Sequence, residues 1–200
     1  MTQPSNTKLL IRDASRRLFA ERGYHGVSMR EIAQAVGKQP GGIYNHFPNK
    51  QAILVELMLE NLKQAHEAVI APIDDNTTAA DQLNTFVRNH VLHNIANPDD
   101  IFIAYMELRS LEPEGAAQVF KLRDAYESAL RAILRAGVES GAFKISDPAI
   151  HARSILSMLG GVTVWFRQSG PQSSTDVVAC YVQAALQSVG VPYADLKERP

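Results

Sequence analysis

Hydrophobic residues recur along this chain at the spacing of α-helices, and strand-like alternation is nearly absent. The first helical stretch carries apolar residues at i, i+3, i+7 and i+8, which are Ile11, Ala14, Leu18 and Phe19. That spacing gives a helix one buried face, and Gly23 offers a stop. Neither Asn-Gly nor Asp-Gly, the usual hairpin signals, occurs in the sequence. The pattern predicts an all-α protein.

Glycine, proline and capping residues divide the pattern into nine predicted helices. Three short ones come first, ending at Gly23, at Gly37 and near Phe47. Six longer ones are expected over residues 50–70, 78–97, 101–111, 116–140, 147–168 and 173–189. The helix over 50–70 has no flexible linker before it, so we expect it to join the two groups rigidly.

Two short helices within residues 28–47 have the spacing of a helix-turn-helix. Ser28 and Glu31 form a capping box that opens the first of them. Ala33 is small enough for a close helix crossing, Gly37 permits the sharp turn, and Ile43 is placed to plug the second helix into the first. A helix-turn-helix places its second helix in the DNA major groove. An αα-hairpin inside a helical bundle would have the same bare spacing.

The residues that follow the turn bear on this choice. Gly41-Gly42-Ile43-Tyr44-Asn45-His46-Phe47, followed by Lys50, closely resembles the end of the DNA-binding domain in the tetracycline-repressor (TetR/AcrR) family. The run Arg16–Gly37 resembles the first two helices of that domain. The resemblance implies a three-helix helix-turn-helix DNA-binding domain at residues 5–65. It also implies a six-helix ligand-binding and dimerisation domain at residues 66–200.

The resemblance further implies DNA contacts at matching positions. The start of the second motif helix would face base edges, where glutamine can pair with adenine and glycine lets the backbone approach. Tyr44, His46 and Lys50 would hold phosphates, and Ser28 would donate to a phosphate beside a helix N-terminus. The full predicted set is Ser28, Arg30, Lys38, Gln39, Pro40, Gly41, Gly42, Tyr44, Asn45, His46 and Lys50.

Some of these residues leave alternatives open. Tyr44 can pack its ring against the first helix, and His46 can be an ordinary surface residue. The chain also departs from the family pattern, which commonly has an apolar residue at the position of Lys38 and serine or threonine at that of Gln39. Gly42 stands where a small or hydroxylated residue is usual, which removes one possible phosphate contact.

The charge distribution agrees with a nucleic-acid-binding head. The 200 residues carry a net charge of −1, but residues 1–54 hold eight lysines and arginines against three acids and are therefore +5. The remainder is −6. This asymmetry indicates a polyanion-binding module on an acidic body, with chance scatter of surface charge as the alternative. Arg12, Arg16 and Arg17 are interpreted as a solvated face or as residues loosely near phosphates.

Several function classes are disfavoured. No apolar run reaches the roughly 18 residues of a membrane span, and the first residues lack the apolar core of a secretory signal. We therefore expect a cytoplasmic protein without a membrane partner. The single cysteine, Cys180, excludes an intramolecular disulfide and a cysteine zinc site, and its apolar surroundings predict a buried, inert thiol. His90 and His93 are interpreted as exposed helix residues, so no metal, cofactor or enzyme activity is expected.

The C-terminal part of the chain predicts an interface and an effector site. Residues 155–166 are apolar on nearly all sides and the last helix has a wide apolar stripe, which favours the four-helix dimer seam that the resemblance implies. Residues 165–186 resemble regulators that respond to acyl-CoA thioesters. Predicted effector contacts among the middle helices are Phe86, His90, Asn94, Phe102, Tyr105, Met106, Arg109, Phe120, Arg123 and Tyr126.

The sequence thus predicts a ligand-responsive repressor that binds a palindromic double-stranded DNA operator as a homodimer. A small hydrophobic effector would release it, with the helix over 50–70 as the lever between the two domains. Two alternatives remain at this stage. One is an enzyme, and the other is a helical ligand-binding or scaffold protein that no longer binds DNA.

Overall fold

The computed structural model describes residues 6–192, and every regular element in that part of the chain is helical. The helices are α1 Asn6–Arg22, α2 Met29–Ala35, α3 Pro40–Tyr44, α4 Lys50–Ala65, α5 Ala79–Ala96, α6 Pro98–Met106, α7 Pro113–Glu139, α8 Pro148–Gly160, α9 Val162–Trp165 and α10 Ser174–Ser188. A π-helical turn, His66–Ile70, continues α4, and a 3₁₀ turn, Leu108–Ser110, follows α6. The predicted all-α class is confirmed.

The predicted helices are found at their nine positions, but the eighth is divided. A single helix over 147–168 is wrong, because the chain leaves α8 at Gly161 and α9 ends at Trp165. Two successive glycines, Gly160 and Gly161, each lower helix stability by about 1 kcal/mol, so the helix is interrupted at this point. The predicted start at Asp147 is correct, since its carboxylate accepts from the backbone N–H groups of Ala149 and Ile150.

Other predicted boundaries shift by a few residues. The third helix ends at Tyr44 and not at Phe47, because the backbone N–H groups of His46 and Phe47 both turn back to the carbonyl of Ile43. Pro113, expected in a break before a helix starting at 116, is the first residue of α7. Proline suits the first turn of a helix, where its missing N–H has no intrahelical partner to lose.

The chain divides into two compact units. Among the described residues, unit 1 contains 6–62 together with Pro98–Leu122, and unit 2 contains Lys63–Asn97 together with 123–192. The sequence-based domains at 5–65 and 66–200 are a different division and stay a prediction. Their outer bounds, residues 5 and 200, lie outside the described residues.

Unit 1 has a core to which both of its segments contribute. The fully buried side chains of α1 to α4 include Phe19, Ile32 and Ile43, and Ile103 of α6 and Val119 of α7 belong to the same cluster. Burial of such side chains contributes about 1.5–3 kcal/mol each. The helix-turn-helix is therefore held by residues that follow it in sequence by more than fifty positions.

Unit 2 is built on α5, α7, α8 and α10, and it corrects two predictions. His90 and His93 are buried, not exposed, because they lie on the inner face of α5 while Leu92 between them faces outward. Cys180 is exposed, because on α10 it points away from the face that carries Val177 and Val178.

Candidate nucleic-acid interface

The turn between α2 and α3 has the geometry that the sequence predicts. Gly37 has φ +65°, and Lys38 N–H donates to the Ala33 carbonyl while Gly37 N–H donates to that of Gln34. This pair of bonds is a Schellman C-cap, for which glycine is favoured because a Cβ strains this conformation. Ala33 and Ile43 are both buried, so the two helices cross closely as expected.

A row of exposed side chains runs from this turn through α3. Lys38, Gln39, Pro40, Gly41, Tyr44 and Asn45 are exposed, and Gly42 and His46 are partly buried. Ile43 and Phe47 are buried, so α3 has one inner face and one outer face. Tyr44 is 51% exposed, which favours a surface role for this tyrosine over packing against α1. The structure thus brings most predicted contact residues onto one surface.

Ser28 caps α2 and uses its hydroxyl within the protein. Its Oγ accepts from Glu31 N–H at 3.2 Å and donates to Glu31 Oε2 at 2.7 Å. A hydrogen bond from Arg22, followed by those from the Ser28 hydroxyl and backbone, lowers the pKa of Glu31 to about 2. The ionised Glu31 carboxylate therefore stabilises α2 fully when the pH is above the ordinary pKa of 4.5. This contribution is lost as the pH falls towards 2. Donation to a phosphate would require the hydroxyl to leave Glu31.

Replacing Ser28 by alanine tests this cap. We expect the free energy of unfolding to fall by about 1 kcal/mol, because two first-turn groups lose a partner. The pKa of Glu31 should also move towards its ordinary value. Chemical denaturation and an NMR titration of Glu31 measure the two effects. Ser173→Ala is the matched control, since Ser173 caps α10 in the same way and lies far along the chain from Glu31. An unmoved Glu31 pKa in Ser28→Ala would contradict this assignment.

Lys50 is more deeply engaged than the sequence indicates. Its Nζ donates to the carbonyls of Tyr24 and Val27, both at 2.7 Å, and lies 4.1 Å from the centre of the Tyr24 ring. Burial lowers the pKa of Lys50, against the opposing charges of Glu107 and Glu31. Two of its three N–H donors thus hold the segment that leads into α2, and phosphate contact by Lys50 stays a prediction.

The interpretation of Arg12, Arg16 and Arg17 as a solvated face holds for Arg17, which is exposed, but Arg12 and Arg16 are partly buried and paired with acids. Lys8 pairs with Glu56 at 2.6 Å, Arg12 with Glu60 at 3.9 Å, and Arg16 with Asp100 at 2.7 Å. With its second segment included, unit 1 carries ten basic and ten acidic side chains. Positive charge available to DNA therefore lies in exposed residues such as Arg30 and Lys38 rather than in a basic unit.

The predicted effector contacts fall into both units. In unit 2, His90 Nδ1 lies 2.8 Å from the Tyr126 hydroxyl, and its ring stacks on Phe86 with centroids 5.8 Å apart. Asn94 Nδ2 donates to the carbonyl of Leu159 at 3.4 Å, and Arg123 belongs to the same unit. The other five predicted contacts belong to unit 1 and are exposed: Phe102, Tyr105, Met106, Arg109 and Phe120.

Burial governs the chemistry of His90. Its Nε2 is buried and has no hydrogen-bond partner among the described residues. Burial, followed by the charge of His93, lowers the pKa of His90 to about 3. Because this lies below the ordinary 6.5, the folded protein holds the ring neutral, and the free energy of unfolding falls as the pH drops from about 6.5 towards 3.

Sequence reasoning missed two polar residues of unit 1. Glu107 is buried and accepts from Tyr24 N–H, and Gln51 donates to the Tyr24 hydroxyl and to the Ser110 carbonyl. Their partners lie 27 to 83 positions away in sequence. No local periodicity carries such a signal, although an acid directly after the apolar run of α6 is unusual enough to be noticed.

The described residues contain neither a metal-binding cluster nor a membrane-spanning helix. Within 6–192, no group of three or more histidine, cysteine or acidic side chains is arranged to hold a metal ion. No helix in that range combines the length and apolar character needed to cross a bilayer.

Comparison with known proteins identifies both parts of the chain. Residues 11–57 match the family described as bacterial regulatory proteins, tetR family, and residues 76–189 match the tetracyclin repressor-like C-terminal domain. The fatty acid metabolism regulator protein of Bacillus subtilis (strain 168) is 30% identical over 149 residues, covering 72% of this chain and 74% of that one.

Solved structures agree with this match. A bacterial regulatory protein in the tetR family from Rhodococcus RHA1 has a TM-score of 0.89 and 30% identity, covering 94% of this chain and 98% of that one. AibR, solved in complex with isovaleryl coenzyme A and operator DNA, has a TM-score of 0.82 and covers 93% of this chain and 99% of its own. At 23% identity, AibR shows a shared fold.

The helix-turn-helix, its exposed outer face and these matches define the class: the protein is a DNA-binding, ligand-responsive transcriptional regulator of the repressor type. The chain belongs to the tetR family of bacterial regulatory proteins. The alternative of a helical protein that has lost DNA binding is not favoured, since the motif is present and the outer face of α3 is exposed.

Proposed function

We propose that this regulator binds a palindromic operator as a homodimer, with residues 38–45 of each protomer in a major groove. The observation that carries the proposal is the exposed row on α3 and its preceding turn, backed by buried Ile43 and Phe47. One five-residue helix reads few base pairs, and two such helices about 34 Å apart, or a multiple of this, read a palindrome. Because bacterial operator DNA lies in the cytoplasm, the proposed activity would take place there.

The dimer seam is proposed on α8, α9 and α10 of unit 2. Val164 is 76% exposed and Ile150 63% exposed, and Trp165 stacks on Tyr181 at a partly open surface. Apolar side chains of this size are costly to leave in water when they lie together. A second copy of the same helices would cover them.

The effector proposed for unit 2 is an acyl-CoA thioester or a similar carbonyl-bearing hydrophobic molecule. The B. subtilis relative is a fatty acid metabolism regulator, and AibR was solved with isovaleryl coenzyme A. A phenol that donates to Nδ1 of His90 leaves the Nε2 of the ring as an N–H donor. A buried N–H without a partner costs about 1–3 kcal/mol, and a ligand carbonyl would satisfy it.

Replacing His90 by phenylalanine tests this role. The ring stack on Phe86 is retained while both ring nitrogens are removed, so we expect the operator affinity to stay unchanged. The concentration of isovaleryl coenzyme A or palmitoyl coenzyme A needed for half-release should rise about tenfold, which corresponds to one lost hydrogen bond. The measurement is fluorescence anisotropy of labelled operator with increasing thioester.

Two comparisons make this result interpretable. Free coenzyme A, which has no acyl carbonyl, should act equally on His90→Phe and on the unaltered protein. Arg88→Ala is the control variant, since it changes an exposed residue of the same helix. Equal half-release concentrations for His90→Phe and the unaltered protein, with a thioester that does release the operator, would remove His90 from the effector site.

The DNA-binding function itself is tested by selection. The full chain is mixed with fragmented genomic DNA in dilute buffer, and bound duplexes are sequenced. A shared palindrome, a steep fall of affinity with salt and a dimer in sedimentation are expected. A strictly monomeric protein that retains no duplex would overturn the proposal. That result would also favour the enzyme alternative, which the similarity to transcriptional regulators otherwise argues against.

A further inference from the structure

The segment Pro98–Leu122 belongs to the DNA-binding unit, although the family match to the C-terminal domain includes it. Ile103 and Val119 of this segment are in the core of unit 1. Asp100 pairs with Arg16 of α1 at 2.7 Å, with both side chains largely buried. The segment is thus positioned to act directly on the helices that carry the helix-turn-helix.

The most specific contact in this segment is made by Glu107. Its side chain is only 8% exposed, yet each carboxylate oxygen has a donor. Oε1 accepts from the backbone N–H of Tyr24 at 2.9 Å, and Oε2 accepts from the Ser110 hydroxyl at 2.8 Å. A buried carboxylate is tolerated only with such partners, so the Tyr24 N–H is tied to a fixed point of the second segment.

Tyr24 begins a turn, residues 24–27, that three side chains hold: Lys50 and Gln51 of α4, and Glu107, which follows α6. Glu107 accepts a hydrogen bond from the backbone N–H of Tyr24, the first residue of the turn. Lys50 donates to the carbonyls of Tyr24 and Val27, and Gln51 donates to the Tyr24 hydroxyl at 3.1 Å. Gln51 also donates to the Ser110 carbonyl at 2.6 Å, so α4 and the second segment hold the turn together.

The turn ends at Ser28, the N-cap of α2, and α3 packs on α2 through Ala33 and Ile43. A change in the path of residues 24–27 therefore tilts α2 and carries the exposed row of α3 with it. Packed helices move as bodies because close-packed side chains do not deform continuously.

We propose that Glu107 is a positioning residue for DNA recognition, and this rests on the operator binding proposed above. Its carboxylate sets the course of the 24–27 turn and thereby the orientation of α2 and α3. Any displacement of residues 98–112 is transmitted to the exposed row of α3 through the hydrogen bond from Tyr24 N–H to Glu107.

Loss of the Glu107 charge would strengthen operator binding on electrostatic grounds alone, whereas the positioning role predicts weaker binding. Removing a negative charge from a DNA-binding unit normally strengthens binding to a polyanion. Glu114, an exposed acid of the same segment, should show that ordinary behaviour when changed to glutamine. Glu107→Ala should instead weaken operator binding about tenfold, because the Tyr24 N–H is left buried without an acceptor.

The experiment compares Glu107→Ala, Glu107→Gln and Glu114→Gln with the unaltered protein. The probe is the duplex that this protein retains most tightly from fragmented genomic DNA, and affinities are corrected for the folded fraction. Glu107→Gln should bind within about threefold of the unaltered protein, since its amide oxygen can accept from Tyr24 N–H and the Ser110 hydroxyl can accept from its amide N–H. A residue that served stability alone would lower the melting temperature and leave the corrected affinities equal.

Amide hydrogen exchange without DNA supplies a second readout. Protection of the amides of residues 24–27 and of α2 should fall in Glu107→Ala and be restored in Glu107→Gln. Operator affinity of folded Glu107→Ala that equals or exceeds that of Glu114→Gln would overturn the proposal, as would unchanged exchange at Tyr24. Failure of the unaltered protein to retain any duplex would instead refute the proposed function itself.

Discussion

Replacing Tyr44 and Lys38 together by alanine is expected to lower operator affinity at least about 100-fold, the largest loss that two exposed residues of this protein should cause. Both side chains lie on the outer side of the helix-turn-helix, and neither contributes to the buried core. Hydrogen bonds to charged groups are worth about 1.5–3 kcal/mol each, so two phosphate contacts account for this loss. Fluorescence anisotropy with the selected operator measures the affinity.

The salt dependence identifies what was lost. Loss of the Lys38 contact should reduce the slope of log affinity against log salt by about 1, whereas loss of the uncharged Tyr44 should leave that slope unchanged. The fold and the dimer should be unaffected, as circular dichroism and sedimentation would show. Lys121→Ala is the matched control, since it removes an exposed lysine of unit 1 on α7. If the double variant and this control bind operator equally well, the surface that contacts DNA is not on α3.

Replacing Gly137 by alanine is expected to destabilise the protein by about 1–3 kcal/mol, although the same change in most helices is stabilising. Gly137 lies in α7, and an added Cβ would fall well inside van der Waals contact with the ring of Phe143. Phe143 is 3% exposed, and its N–H donates to the Gly137 carbonyl at 2.9 Å. The ring lies in the core of unit 2, so moving it away from an added Cβ would disturb the side chains packed around it.

Thermal unfolding measures this effect, and a fall in melting temperature of about 5 °C corresponds to the middle of the range. Gly42→Ala is the control, because a Cβ at that glycine meets no atom within 4 Å. Its melting temperature should hold or rise slightly. Adding Phe143→Leu to Gly137→Ala should cost less than the sum of the two single changes, because the smaller side chain relieves the overlap. Additive costs would show that the ring is not the obstacle.

The helix-turn-helix was accessible from sequence because its determinants are local. Gly37 is needed for one backbone conformation, Ser28 and Glu31 cap one helix, and Ala33 and Ile43 meet across a single turn. Each of these relations spans fewer than a dozen residues, so spacing alone encodes it. The split at Gly161 was missed although it is local, because the apolar pattern continues across it and outweighed the two glycines.

The charge that the DNA-binding unit presents to solvent could not be predicted from local sequence. The first 54 residues are +5, yet Lys8, Arg12 and Arg16 are paired with acids from α4 and α6. The burial of His90 and the exposure of Cys180 likewise depend on which helix faces are covered. A helical wheel defines faces but does not state which neighbour covers them.

The helical class, the helix-turn-helix and the family are encoded locally in the sequence, because helix periodicity, capping and turn chemistry act between near neighbours. Three features follow from the packing of the chain instead: residues 98–122 belong to the DNA-binding unit, Glu107 and Lys50 hold the turn before α2, and His90 has a buried nitrogen with no hydrogen-bond partner within residues 6–192. These are contacts between distant parts of the chain. They are fixed by the packing of whole helices, which no short stretch of sequence specifies.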